Sequence, residues 1–317
     1  MTAAISPPAS YSSLPLREIS VSHVPENPPT ATKVLVVALN RPKKYNAVTE
    51  NLLTELERVY DLVNIDDRVR AIVLTGAGKA FCAGADLEVG FSGLLAQKKT
   101  EQLAKKYRDQ GGRVALVISR CTKPTIVAIN GPAVGVGLTL TLPATIRVAW
   151  SDAKVGVPFS RRGLTLESCS AFFLPRLVGL SNAMHLATTG DTYVASDPLV
   201  SGLFSKLLPS PQEMIAYAIN LAIDIAEKTS IVSTKLMRDM LLYCPSTPEE
   251  THILDSRIFL STIGTKDNVE GIESFMQKRK PEFSGTVDAR EFPFWPWWSV
   301  GEVEADAPAV GSVKAKF

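Results

Sequence analysis

The sequence predicts an α/β fold, in which buried strands alternate with amphipathic helices and an all-helical region follows. Three observations carry this reading. The runs Val34–Leu39, Ala71-Ile72-Val73-Leu74 and Thr125–Ile129 are continuous, apolar and rich in β-branched residues, as strands covered on both faces are. A helical stripe separates the first run from the second, and strand signals cease after Leu208. With 317 residues, 45% of them hydrophobic, the chain is long enough to bury a substantial core as one large domain or two smaller ones.

Residues 1–32 carry Pro7, Pro8, Pro15, Pro25, Pro28 and Pro29 and are expected to form a flexible or loosely docked extension. Prolines exclude a secretory signal there, and Arg17 as the only arginine, beside Glu18 and Glu26, argues against a mitochondrial transit peptide. The core is expected over residues 33–208. After the first strand and a turn at Asn40-Arg41-Pro42, Thr49 reads as an N-cap for a helix whose buried stripe is Leu52, Leu53, Leu56, Val59, Tyr60 and Val63. In this pattern Glu50, Glu55, Glu57 and Arg58 lie off the stripe.

The second strand leads into a glycine turn and a polar helix over about residues 98–119; the third leads into another glycine turn and a short helix stopped by Pro143. Strand-like pieces at residues 146–150 and 154–157 precede a helix expected to start near Thr165. Residues 209–285 read as successive helices punctuated by Pro245, Pro248 and Gly271, a region suited to packing on another subunit. Residues 286–317 hold an aromatic cluster, Phe292, Phe294, Trp295, Trp297 and Trp298, expected to dock, and a flexible tail.

Charge and composition exclude several function classes. Thirty-four basic against thirty-two acidic residues leave a net charge of +2, which gives no bulk attraction to nucleic acid or membrane surfaces. No apolar run reaches the length of a membrane span. Cys82, Cys121, Cys169 and Cys244 are scattered, and His23, His185 and His252 stand in unrelated contexts, so neither a metal site nor a Ser/His/Asp triad is expected. Cys82 and Cys169 read as packing residues rather than activated thiols. Gly76-Ala77-Gly78-Lys79 lacks Walker spacing and has Ala80 where a metal-binding hydroxyl would be needed. Gly135-Val136-Gly137 is an incomplete dinucleotide fingerprint, with Leu140 in place of its last glycine.

The two glycine turns, Phe81-Cys82-Ala83-Gly84-Ala85-Asp86-Leu87 and Asn130-Gly131-Pro132-Ala133-Val134-Gly135-Val136-Gly137, each follow a buried run. Two such turns can aim bare backbone N–H groups at one point, the geometry of an oxyanion hole for an acyl carbonyl. On the residues alone, tight strand-to-helix turns account for these glycines as well.

Leu39-Asn40-Arg41-Pro42 with Asn46-Ala47, Gly84-Ala85-Asp86-Leu87, Lys123-Pro124 with Asn130-Gly131-Pro132-Ala133-Val134-Gly135, and Met276-Gln277-Lys278-Arg279-Lys280-Pro281-Glu282-Phe283 together resemble the crotonase (enoyl-CoA hydratase/isomerase) superfamily. The resemblance covers roughly residues 33–284. It implies the crotonase (ClpP/crotonase-like) spiral of repeated ββα units and a homotrimer or hexamer. By the same resemblance the oxyanion hole consists of the N–H groups of Ala85 and Val136, and Ala83, Gly84, Ala85, Asp86, Leu87, Gly135 and Val136 touch the substrate. Coenzyme A is then part of the substrate and no separate cofactor is expected. Arg41, Lys43 and Lys44, on the loop after the first strand, are candidates for its phosphates or adenine, and are equally explained as solvated surface charges.

The sequence departs from the hydratase pattern at its acids. Where hydratases of this superfamily carry two glutamates, the corresponding residues are Thr139 and Phe159, and neither can activate water. The stretch from Pro158-Phe159-Ser160 to Leu174-Pro175 instead resembles peroxisomal-type Δ3,Δ2-enoyl-CoA isomerases, whose catalytic glutamate matches Glu167. The implied reaction turns 3-cis- or 3-trans-enoyl-CoA into 2-trans-enoyl-CoA with one base. Phe159, Leu164, Leu166, Phe172 and Phe173 would raise the Glu167 pKa, while a nearby helix N-terminus would lower it. A divergent hydratase or dehydratase and a catalytically silent acyl-CoA-binding protein are the rival readings. On the residues alone, Glu167 also fits an acid in a helix's first turn, and Thr139, Ser168 and Ser170 fit a helix surface. Ala315-Lys316-Phe317 has the small-basic-apolar form of a peroxisomal address, with cytoplasm or mitochondrion as alternatives.

Overall fold

The computed structural model describes residues 6–26, 28–86, 101–287 and 292–300, without the side chains of 102–104. Leu87, the first residues of the expected 98–119 helix and the C-terminal tripeptide lie outside the described residues. The buried runs pair as the pattern requires. Strands β2 (Val34–Leu39), β3 (Ala71–Gly76), β4 (Thr125–Ile129), β6 (Ile146–Trp150) and β9 (Lys206–Leu208) form a parallel array in that order. A second, three-stranded sheet has β5 (Ala133–Val134) and β8 (Thr192–Val194) on either side of β7 (Lys154–Gly156).

Both faces of the larger sheet are covered, which explains why its strands are apolar throughout. Helix α1 (Glu50–Asn64) is capped by the Thr49 side chain, which accepts from the Leu52 N–H, and buries Leu52, Leu56, Val59 and Val63 on one face. On the other face, Met214, Ala218, Ala222 and Ala226 of α7 (Pro211–Lys228) pack on Val34, Val73, Ala128 and Val148. The spacing of four between these residues lets the long helix lie close to the strands. Each fully buried valine, leucine or methionine side chain contributes about 1.5–3 kcal/mol.

The structure departs from the sequence reading at several places. The N-terminal extension is not loosely docked: residues 19–24 form β1 (Ile19–Val24), antiparallel to β2, with Tyr11 and His23 buried. Glu55, read as lying off the stripe of α1, is buried because its carboxylate accepts from the backbone N–H groups of Arg17, Glu18 and Ile19 and so ties β1 to α1. The expected polar helix is two helices, α2 (Glu101–Lys106) and α3 (Gln110–Arg120), separated where Asp109 caps α3 by accepting from the Gly112 N–H. The short helix after the second turn is α4 (Val136–Thr139). The next, α5 (Ser170–Val178), starts at Ser170 rather than near Thr165 because Ser168 and Cys169 adopt left-handed backbone angles, φ 53° and 56°.

Helix α6 (Leu180–Thr189) follows, and beyond α7 come α8 (Ile231–Leu242), α9 (Pro248–Thr262) and α10 (Lys266–Met276). Gly271 lies inside α10 and interrupts nothing. The aromatic cluster docks as expected: Phe292 is buried with Val232, Leu236 and Ile258, the Trp295 indole donates to Asp239, and Trp298 stacks on Tyr243 at 3.9 Å.

Candidate active site

Parallel bridges fix the first glycine turn to the second and to the residue before Thr49. In one, the Cys82 N–H donates to Pro132 O (2.9 Å) and the Val134 N–H to Cys82 O (3.0 Å). Here Gly137 is a packing requirement, since a Cβ on it would sit 2.4 Å from Cys82 O and 2.8 Å from Cys82 Sγ. The second bridge joins Val48 to Ala85: the Val48 N–H donates to Gly84 O (2.8 Å) and the Asp86 N–H to Val48 O (3.0 Å). This parallel pattern spends the polar groups on either side of Ala85 and turns its own N–H away from Val48.

Gly135 has φ 57° and ψ −129°, the mirror image of an extended residue, and so redirects the chain into α4. Val136 is the first residue of that helix, where an N–H has no intrahelical acceptor. Ala83 and Ala85 are exposed, while Gly84, Gly135 and Val136 are buried. Cys82 is fully buried and burial pushes its thiol up to about 12, as for a packing residue.

Glu167 lies in the loop just before α5, not in a helix's first turn. Its backbone carbonyl accepts from the N–H and the hydroxyl of Ser170, at 2.9 and 2.6 Å. Its carboxylate takes hydrogen bonds from the hydroxyls of Ser168 and Thr139, one to each oxygen. Burial pushes the carboxyl up, those two bonds pull it down, the Asp109 charge pushes it up again, and the net direction is upward. Of the expected apolar neighbours, Phe173 is buried, Phe159, Leu166 and Phe172 are half-buried against the core, and Leu164 is exposed. The Phe159 ring reaches Gly135, coming within 3.9 Å of where its Cβ would stand.

The acid and the second turn converge at Gly111 of α3. A Cβ there would lie 2.3 Å from Glu167 Oε2, 2.2 Å from Ser168 Oγ and 3.2 Å from Val136 Cγ2. The carboxylate is therefore within a few ångströms of the side chain of the residue that opens α4.

The expected phosphate partners separate. Arg41 is engaged, pairing with Glu18 (3.2 Å) and Asp86 (3.0 Å) and donating to Ala47 O, so two expected substrate-binding residues, Arg41 and Asp86, hold each other. Lys43 and Lys44 are exposed on the turn Pro42–Lys44. Sequence reasoning missed Asp109, whose Oδ1 also accepts from the Ser168 N–H at 3.2 Å. Its signal was an N-cap residue followed by Gly111-Gly112 inside a polar run.

This chain, an α/β core with paired glycine turns and a half-buried acid near the second, is similar to known proteins. A family profile described as enoyl-CoA hydratase/isomerase matches residues 30–286. Enoyl-CoA hydratase AFT3-1 of Alternaria alternata is 42% identical over 259 residues, 82% of this chain and 86% of its own length. The mitochondrial enoyl-CoA hydratase of Pongo abelii is 33% identical over 248 residues, 78% of this chain and 82% of its own. The crystal structure of enoyl-CoA hydratase from Bacillus anthracis superposes with a TM-score of 0.72 at 26% identity, covering 85% of this chain and all of that one. The fold is thus of the crotonase type, and the chain belongs to the enoyl-CoA hydratase/isomerase family, whose substrates are acyl-CoA thioesters.

Proposed function

We propose that this enzyme is a Δ3,Δ2-enoyl-CoA isomerase with Glu167 as its single acid–base group. One observation carries the reading. Glu167 is a half-buried carboxylate beside α4, and Thr139, at a position where a hydratase would present an acid, instead donates its hydroxyl to that carboxylate. The thioester oxygen takes hydrogen bonds from the N–H groups of Ala85 and Val136. Glu167 removes a proton from C2 of a 3-enoyl thioester, and the electrons move onto that oxygen as a dienolate. The same carboxyl then protonates C4, leaving the double bond between C2 and C3. A raised pKa suits a group that must both take and return a proton near neutrality.

The names of the curated relatives favour a second reading, a divergent hydratase or dehydratase. Rates on a 3-enoyl-CoA, followed against pH with hydration of the 2-enoyl-CoA run alongside, separate the two. Because the base must be ionised, kcat/KM should fall on the acid side of a midpoint above the ordinary glutamate value of about 4.3. A midpoint at or below that value, or conversion of the 2-enoyl thioester as the main activity, would defeat the reading.

The exposed apolar side chains of Leu241, Ile253, Phe259, Leu260, Phe275 and Met276 on α8, α9 and α10 support assembly into a trimer or hexamer. Light scattering on the purified protein should give three or six chains per particle, and a monomer would contradict it.

A further inference from the structure

We propose that Asp109, at the break between α2 and α3, is a positioning residue that aims the Glu167 carboxylate by holding the left-handed turn that follows it. Ser168 and Cys169 are consecutive non-glycine residues at φ 53° and 56°, a conformation that side chains disfavour and that surrounding contacts must impose. The turn is what lifts Glu167 out of α5. Asp109 Oδ1 accepts from the Ser168 N–H at 3.2 Å and from the Gly112 N–H at the start of α3, so one oxygen joins the catalytic loop to the helix beneath it. Two residues on, Gly111 leaves the space that Glu167 Oε2 and Ser168 Oγ occupy. The element that caps α3 thus fixes the acid from two sides, through Ser168 and through shape.

Asp109 also contributes to the charge that Glu167 meets. Around the pair, among the described residues, stand Tyr107 from the same loop, Cys169, and Arg120 from the far end of α3, the last acting on Cys169. Burial is the main cause that raises the Glu167 pKa, and Asp109 is the negative charge that adds to it. Asparagine at this position keeps the acceptor and the cap and removes that charge.

The inference rests on the isomerase reading only for its kinetic arm. Asp109→Ala frees the Ser168 N–H, and a misplaced base should lower kcat for a 3-enoyl-CoA by about 10²-fold with little change in KM. Asp109→Asn should restore most of that turnover and move the acid limb of the pH profile to lower pH. Gly111→Ala keeps the cap but intrudes on Oε2, and should also lower kcat. The second arm needs no turnover: the Glu167 carboxyl carbon, identified by its absence in Glu167→Gln, is titrated by carbon NMR. Its midpoint should fall in Asp109→Asn relative to the unaltered protein. A folded Asp109→Ala with full kcat, or a Glu167 midpoint unmoved by Asp109→Asn, overturns the assignment. If the alanine variant does not fold, Gly111→Ala and the titration decide it. If the unaltered protein does not isomerise 3-enoyl thioesters, the functional reading fails while the titration still decides the place of Asp109.

Discussion

Replacing Glu167 by glutamine is expected to lower turnover of a 3-enoyl-CoA by about 10²–10⁴-fold, equivalent to roughly 3–5 kcal/mol of barrier. Glutamine keeps the size of the side chain; its amide oxygen can still accept from one of the Thr139 and Ser168 hydroxyls and its amide nitrogen can donate to the other, so the loop before α5 should survive. What it loses is the ability to take a proton from C2. Affinity for a saturated acyl-CoA, measured by calorimetry, should change little, because ground-state binding does not require the base. Full isomerase activity in a folded Glu167→Gln protein would remove the proposed mechanism while leaving the fold intact.

The second large effect is expected at Val136. The proposed oxyanion donor there is a backbone N–H, so only a substitution that deletes the group tests it. Proline does so at the first position of a helix, where its ring is tolerated. Gly135, being achiral and held in the mirror image of an extended conformation, can precede it without the clash that would affect another residue. Loss of one such donor typically costs about 10²–10³ in turnover, or roughly 3–4 kcal/mol. Val136→Pro should therefore fold, retain acyl-CoA binding and lose at least that much activity. Unchanged turnover in the folded variant would place carbonyl stabilisation elsewhere.

Much of the core was legible because its strands are buried on both faces and its first helix is capped by Thr49. Continuous runs such as 34–39 and 125–129 admit few other environments. The edge strand at residues 19–24 escaped because prolines surround it and its alternation is short, while its anchor, Glu55, is a charged residue buried by backbone donors that no local pattern announces. Glu167 was found by resemblance, not by periodicity. Its surroundings were misread for a local reason: a helix starting at Thr165 fits the sequence, and the left-handed pair Ser168-Cys169 that delays it has no compositional mark, since neither residue is glycine. Asp109 acts across 59 positions of sequence, and that distance hides the contact.

In the proposed reaction one carboxyl moves a proton along the acyl chain and no water is added. This is tested most directly by turnover of a 3-enoyl-CoA by the unaltered enzyme in deuterated, heavy-oxygen water, with the products read by mass spectrometry. The account predicts a 2-enoyl thioester free of solvent oxygen, with part of the hydrogen at C4 derived from C2 of the substrate. A 3-hydroxyacyl thioester bearing solvent oxygen as the principal product would contradict it.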